Sequence, residues 1–287
     1  MYNGVHTAII TPFTNGDENS EIDWKSFESL VEEQIVSGVS GLVLYGTTGE
    51  SATLTNEEKI ALTKRAKDIV KGRVPLTLGV GTNSTSGTLS FIDSIRETKP
   101  DAILAVAPYY NRPSQEGLYQ HFLTIARKGG LPVVMYNVPS RSAIEISVDT
   151  IERLSVEDNI IAIKQATDSI ANITELCSRV GDSISVLSGD DPSTLFAMLM
   201  GAKGTISASA CVLPVEMAQI VSLSEKGEWN KAAEVHTSIF PKLKALFAES
   251  NPCPIKAVLA MQGKITSDAV RLPLVQVSSG TREMLKN

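Results

Sequence analysis

Short runs rich in β-branched residues alternate eight times with amphipathic stretches between Val5 and Ser207, and few folds satisfy that alternation. The predicted strands are Val5 to Ile10, Gly41 to Tyr45, Pro75 to Val80, Ala102 to Ala107, Pro132 to Tyr136, Ile160 to Lys164, Ile184 to Leu187 and Gly204 to Ser207. Between them, helical spacing runs over Asp23 to Ser37, Thr55 to Val70, Ser86 to Thr98, Gln115 to Lys128, Val148 to Leu154, Ile170 to Val180 and Pro192 to Met200. Asp23 is placed to cap the first of these helices, and Thr55 with Glu58 has the spacing of a capping box at the second. Strands that are apolar throughout, each followed by a helix, are those of a parallel sheet covered on its faces. Eight such units with no break in composition predict an α/β fold of the (β/α)8 barrel type, over residues 1–213. An open doubly wound sheet would call for a glycine-rich turn after the first strand, where Thr11-Pro12-Phe13 stands instead. Residues 214–287 read as helix only, at Val215 to Lys226, Trp229 to Ala248 and Pro254 to Gln262, a C-terminal helical appendage that Asn251-Pro252-Cys253-Pro254 interrupts.

In such barrels the reactive groups sit just beyond the carboxyl ends of the strands. The run Asn159-Ile160-Ile161-Ala162-Ile163-Lys164 delivers a lysine to that position. An ordinary lysine, with pKa ~10.4, is almost wholly protonated at neutral pH, whereas burial that lowers the pKa to roughly 7–8 frees a nucleophilic amine of the Schiff-base kind. The plainer alternative is a lysine that snorkels to water or pairs with a carboxylate.

Several classes of function are excluded by composition. A net charge of −6 and a pI near 5.2, with no basic block, offer nothing to nucleic acid or an anionic membrane. No apolar run reaches the ~18 residues of a bilayer span, and Met1 to Phe13 lacks the basic start of a signal peptide, so a cytoplasmic protein is expected. Cys177, Cys211 and Cys253 form no CxxC pair and read as buried reduced thiols, and His6, His121 and His236 are scattered; neither a disulfide framework nor a metal site is expected.

Polar residues collect behind the other predicted strands. Gly46-Thr47-Thr48-Gly49-Glu50 offers two hydroxyls and glycine-freed amides that suit a carboxylate, while Glu50 stands where a phosphate loop needs lysine. Gly79-Val80-Gly81 is a fragment of a dinucleotide fingerprint and reads as a turn. Pro108-Tyr109-Tyr110-Asn111-Arg112-Pro113 follows the fourth strand and Tyr136-Asn137-Val138-Pro139-Ser140-Arg141 ends the fifth. Phenols can move protons in carbonyl addition, and Arg141 can clamp a carboxylate through two parallel bonds. Asp191 before Pro192 reads as a helix cap rather than a metal ligand.

Taken together, the G-T-T-G-E loop, the Y-N-x-P loop and the strand-end lysine resemble the pyruvate-dependent class I aldolase and lyase family, along essentially the whole chain from His6-Thr7-Ala8 to Arg271-Leu272-Pro273. The resemblance implies that Lys164 forms an imine with pyruvate and that no cofactor is needed. It implies that Thr47 and Thr48 hold the pyruvate carboxylate, with Gly189 and Ile206 lining the pocket through backbone groups. Tyr136, Thr47 and Tyr110 match a proton relay in which the tyrosine equivalent to Tyr110 comes from a neighbouring subunit, so a dimer is required and a tetramer of two dimers is expected. Arg141 matches the residue that binds the carboxylate of L-aspartate 4-semialdehyde, the second substrate of the branch that makes 4-hydroxy-tetrahydrodipicolinate for lysine and diaminopimelate. N-acetylneuraminate lyase and the sugar-acid aldolases share the lysine and tyrosine but not this arginine, and a non-catalytic oxo-acid sensor would need neither the relay nor Arg141. At the family's lysine-binding feedback site Ser51, Ala52, Asn83 and Tyr109 agree, whereas Asn56, Lys59 and Gly87 depart from the usual two histidines and glutamate. Weak or absent inhibition by L-lysine is therefore expected.

Overall fold

The computed structural model describes residues 2–15 and 20–286. In chain order the elements are β1 (Gly4–Ala8), α1 (Trp24–Val36), β2 (Gly41–Leu44), α2 (Asn56–Val70), β3 (Leu76–Gly79), α3 (Thr85–Ile95), β4 (Ala102–Val106), α4 (Gln115–Gly129), β5 (Val133–Asn137), α5 (Pro139–Ser142) and α6 (Val148–Leu154). They continue with β6 (Ile160–Gln165), α7 (Ile170–Val180), β7 (Ser185–Ser188), α8 (Thr194–Leu199), β8 (Gly204–Ser207), α9 (Pro214–Glu225), α10 (Trp229–Ala245), α11 (Cys253–Met261) and α12 (Ser279–Met284). The strands follow one another as a closed barrel in the order β1 to β8, the predicted fold class. Every predicted strand is present, most within one or two residues of its predicted ends.

The chain groups into two compact units, residues 1–4 with 75–206 and residues 5–74 with 207–287. In the first unit β3 to β8 pair in parallel register, with Val106 beside Tyr136, Tyr136 beside Lys164 and Lys164 beside Leu187. Most of their apolar residues are buried, Ile103, Val134, Met135, Ala162, Ile163 and Leu187 completely. Strands covered on both faces cannot alternate polar and apolar residues, which is why each reads as an unbroken apolar run. Leu118, Phe122 and Ile125 of α4, like Ile173, Leu176 and Val180 of α7, recur at helical spacing and form the buried stripe of each helix. Burying one such side chain contributes ~1.5–3 kcal/mol, so this layer outweighs any single surface ion pair.

The second unit contains β1 and β2, paired as Thr7 with Leu42 and Ala8 with Val43. Asp23 caps α1 by accepting from the Ser26 amide, and Thr55 and Glu58 form a reciprocal capping box at α2, both as the sequence predicts. Helices α9 and α10 pack on each other, and Ala232, His236, Ile239 and Leu243 make the buried stripe of α10. Lys256 of α11 is fully buried; its Nζ donates to the Ala269 carbonyl at 2.7 Å, lies 4.1 Å from the centre of the Phe13 ring and forms an ion pair with Glu50.

Local differences from the expected elements have local causes. The predicted helix from Ser86 to Thr98 is α3 followed by a 3₁₀ turn, Arg96–Thr98, closed by Lys99 in the left-handed region. The residue that caps the turn before α8 is Asp190, not Asp191: its side chain accepts from the Ser193 amide at 3.1 Å and the Ser193 hydroxyl at 2.6 Å. A 3₁₀ start at Asp191–Ser193 shifts the cap back by one residue. The short helices α5 and α12 were not anticipated; at four and six residues they are too short to show a period.

Candidate active site

Lys164 stands one residue before the end of β6 and is 7 % exposed, so most of its side chain is removed from bulk water. Its register neighbour on β5 is Tyr136, and residues paired in register project to the same side of a sheet. The ammonium nitrogen lies 4.5 Å from the centre of the Tyr136 ring, within the range of a cation–π contact. Lys164 has no carboxylate partner among the described residues. The alternative of a lysine held in an ordinary ion pair is thereby removed.

Space for this side chain is made by Gly189, which follows β7. A Cβ there would stand 2.9 Å from Lys164 Cε and 2.9 Å from the Ala166 methyl. The Gly189 amide donates to the Gln165 carbonyl at 2.8 Å. Next to it, burial pushes the Asp190 carboxyl above the usual range; the bonds from Ser193 oppose that shift, and the nearby carboxylates of Asp191 and Asp168 add to it. Ile206 lies in β8 and is buried.

The strand ends around Lys164 are braced by a set of amides to which sequence reasoning gave no role. Asn137 donates to Gln165 Oε1 at 3.0 Å and to the Ile146 carbonyl at 3.1 Å, and accepts from the Ile146 amide at 3.0 Å. Gln165 in turn donates to Asn172 at 2.9 Å. Asn137 and Gln165 are almost completely buried, and a buried amide network with its partners satisfied is rigid. The signal in the sequence was two amides, each at the end of an apolar strand.

Arg141 lies in α5, exposed, with no acidic partner among the described residues. Tyr110 is 89 % exposed and Tyr109 42 %. The loop that carries them is strained: Tyr110 and Arg112 have φ of 75° and 45°, and Asn111 donates to the Asn83 carbonyl at 2.8 Å. Gly87 and Asn83 are half-buried near the start of α3.

Thr47 and Thr48 belong to the second unit, in the turn after β2. Its amides from Gly49 to Ser51 are spent internally, on the Gly46 and Thr47 carbonyls, whereas those of Thr47 and Thr48 have no partner among the described residues. Gly49 is required here, since a Cβ would meet Tyr45 Cα at 2.7 Å and the Ile9 carbonyl at 3.1 Å. The Thr11 hydroxyl holds the Gly49 carbonyl at 2.8 Å, and Asn251 donates to the Thr48 hydroxyl at 2.9 Å. Ser51, Ala52, Asn56 and Lys59 follow on the same turn and the first residues of α2, all at least partly exposed.

Among the described residues no group of three or more His, Cys, Asp or Glu side chains is placed to hold a metal ion. Cys211 and Cys253 are buried free thiols and Cys177 is half-buried, its thiol pushed up to about 11 by burial. No described helix is long and apolar enough to cross a membrane.

The family model for the dihydrodipicolinate synthetase family matches residues 1–287. The chain belongs to this family. Among its relatives, the 4-hydroxy-tetrahydrodipicolinate synthase of Syntrophus aciditrophicus is 44 % identical over 286 residues, which is 100 % of this chain and 97 % of that one. The crystal structure of dihydrodipicolinate synthase from Thermotoga maritima superposes with a TM-score of 0.96 at 39 % identity, covering 100 % of this chain and 97 % of that one. The chloride-inhibited dihydrodipicolinate synthase of Acinetobacter baumannii, solved in complex with pyruvate, gives 0.95 at 37 % identity with the same coverage. Membership of the dihydrodipicolinate synthetase family thus extends over the whole length that carries the lysine, the tyrosines and the threonine turn.

Proposed function

We propose that this chain condenses pyruvate with L-aspartate 4-semialdehyde to give 4-hydroxy-tetrahydrodipicolinate, in the diaminopimelate branch of lysine biosynthesis. The observation that carries the reading is the buried Lys164 side chain, with no carboxylate partner among the described residues and its nitrogen set against the Tyr136 ring. Its nitrogen adds to the ketone carbon of pyruvate, water leaves, and the resulting imine loses a methyl proton to become an enamine. The enamine carbon attacks the aldehyde, and the substrate amine then displaces Lys164 by transimination. No external cofactor enters, because the protonated imine formed on Lys164 is the electron sink. The pyruvate carboxylate is held by the Thr47 and Thr48 amides and hydroxyls, with the Gly189 carbonyl and the Ile206 backbone beside it. Tyr136, Thr47 and Tyr110 carry protons to and from the reacting oxygen.

Arg141, exposed and with no acidic partner among the described residues, binds the carboxylate of the aldehyde; polyol aldehydes would have no use for it. The exposed, strained Tyr110 loop supports a dimer in which each copy lends that tyrosine to the other, with a tetramer built from two dimers in the cytoplasm. Where Asn56, Lys59 and Gly87 replace two histidines and a glutamate, L-lysine binds weakly or not at all. The test is product formation: pyruvate and L-aspartate 4-semialdehyde consumed one for one support the reading. Cleavage of N-acetylneuraminate, or of a keto-deoxy sugar acid, with no turnover of the semialdehyde would overturn it.

A further inference from the structure

The segment Asn251-Pro252-Cys253-Pro254 breaks the C-terminal helices at a place that closing a barrel does not require, and the chemistry so far leaves it without a task. Its first residue is 9 % exposed and donates Nδ2–H to Thr48 Oγ1 at 2.9 Å. A threonine hydroxyl carries one proton and can act either as donor or as acceptor. With the Asn251 amide already directed at its oxygen, the Thr48 hydroxyl is left to donate. Thr48 is 3 % exposed, and its proton has no acceptor among the described residues. A buried donor without an acceptor is unfavourable, and an incoming anion removes that penalty.

The same C-terminal region holds the turn at a second point. Two residues beyond Thr48, Glu50 adopts a φ of 56°, forms the buried ion pair with Lys256 of α11 and accepts from the Arg271 amide at 3.0 Å. Lys256 is in turn bonded to the Ala269 carbonyl. A carboxylate and an ammonium buried together are retained only where their geometry is fixed, and here that geometry fixes the turn from which Thr48 projects. Asn251 lies two residues before α11, so one helix start sets both the position of the turn and the hydrogen-bonding sense of its hydroxyl.

We propose that Asn251 is a positioning residue that holds the Thr48 hydroxyl as a donor for the carboxylate of the keto acid. The inference rests on the reading that Thr48 binds that carboxylate, and the test separates the two. N251D keeps the shape but replaces the donor by a carboxylate that accepts the Thr48 proton; N251A removes the donor without adding charge. Both are compared with T48V and with the double variant T48V/N251D, in the full-length protein. The readouts are KM for pyruvate, kcat, the pH profile, and the pyruvate adduct trapped by borohydride at Lys164.

Losing one charge-assisted bond raises KM for pyruvate by about 10- to 100-fold in T48V and N251D, with a smaller change in kcat. The double variant is no worse than the poorer single one, because both changes remove the same bond. The N251D defect shrinks as pH falls, since the protonated carboxyl can donate again. An unaltered KM in N251D and N251A beside a raised KM in T48V overturns the role of Asn251 and leaves the Thr48 reading intact; so does multiplication of the two effects in the double variant. An unaltered KM in T48V overturns the carboxylate reading itself. If N251D does not fold, N251A carries the same comparison, and recovery of neither as folded protein would make Asn251 a structural residue and overturn the assignment.

Discussion

Gly189→Ala isolates the space that the lysine needs. Gly189 is not in the left-handed region, so alanine meets no backbone strain, and any effect comes from the added methyl alone. That methyl would lie 2.9 Å from Lys164 Cε, 2.9 Å from the Ala166 Cβ and 3.0 Å from the Ala166 Cα. Carbon atoms settle at ~3.5–4.0 Å, so the shortfall is about 0.6–1 Å. Ala166 is held by its amide bond to the Asn137 carbonyl at 2.9 Å, whereas the end of the lysine chain can swing. The lysine contact is therefore relieved by displacing the amine, while the two Ala166 contacts remain as overpacking. A misplacement of ~1 Å costs roughly 10²-fold in rate, about 2.7 kcal/mol of barrier, while overpacking costs ~1–3 kcal/mol of stability. Steady-state kcat and KM for both substrates, with a thermal melt of the same sample, measure the two effects separately. Turnover within about threefold of the parent protein, in a variant that melts at the parent temperature, would refute the claim that Gly189 sets the position of Lys164.

Three further outcomes are expected. Arg141→Ala should raise KM for L-aspartate 4-semialdehyde by ~10- to 100-fold while imine formation with pyruvate is unchanged, and equal losses in both would contradict its assignment. Glu58 is held below the usual carboxylate range by its bonds to the Arg271 guanidinium, an effect that burial partly offsets. Its folded-state pKa being depressed, the stabilisation is complete above the unfolded value of about 4.5 and is lost as pH falls through the folded-state value. Arg271→Leu should therefore lower stability by ~1.5–3 kcal/mol near pH 7 and flatten the acid limb of a plot of melting temperature against pH; an acid limb as steep as the parent's would exclude the clamp. L-lysine at millimolar concentration should leave activity nearly intact, and half-inhibition well below a millimolar would show that Asn56, Lys59 and Gly87 do not weaken the effector site.

Much of this was legible before the fold was known, and the reasons are local ones. A parallel strand buried on both faces announces itself as an apolar run, and the polar residue that ends it is conspicuous for that reason, as Lys164 and Asn137 are. Caps are legible because they act within three residues, as at Asp23 and at Thr55 with Glu58. Where two candidate caps stand side by side, at Asp190 and Asp191, the choice depends on the kind of turn that follows, which composition does not specify. The register that sets Tyr136 beside Lys164 is decided by how strands joined through helices come to rest, and neither strand encodes it alone. The bond from Asn251 to Thr48 joins residues 203 positions apart, and the Glu50–Lys256 pair is of the same kind. Such contacts are properties of the packed chain, and the proline-rich break before α11 was their one trace in the sequence.

The most direct measurement is the mass of the intact protein after incubation with pyruvate and borohydride, followed by mapping of the modified peptide. Capture of the keto acid by the buried amine of β6 adds one reduced pyruvyl group per chain, on Lys164. An unchanged mass, or an adduct on any other residue, would contradict the chemistry proposed for this site.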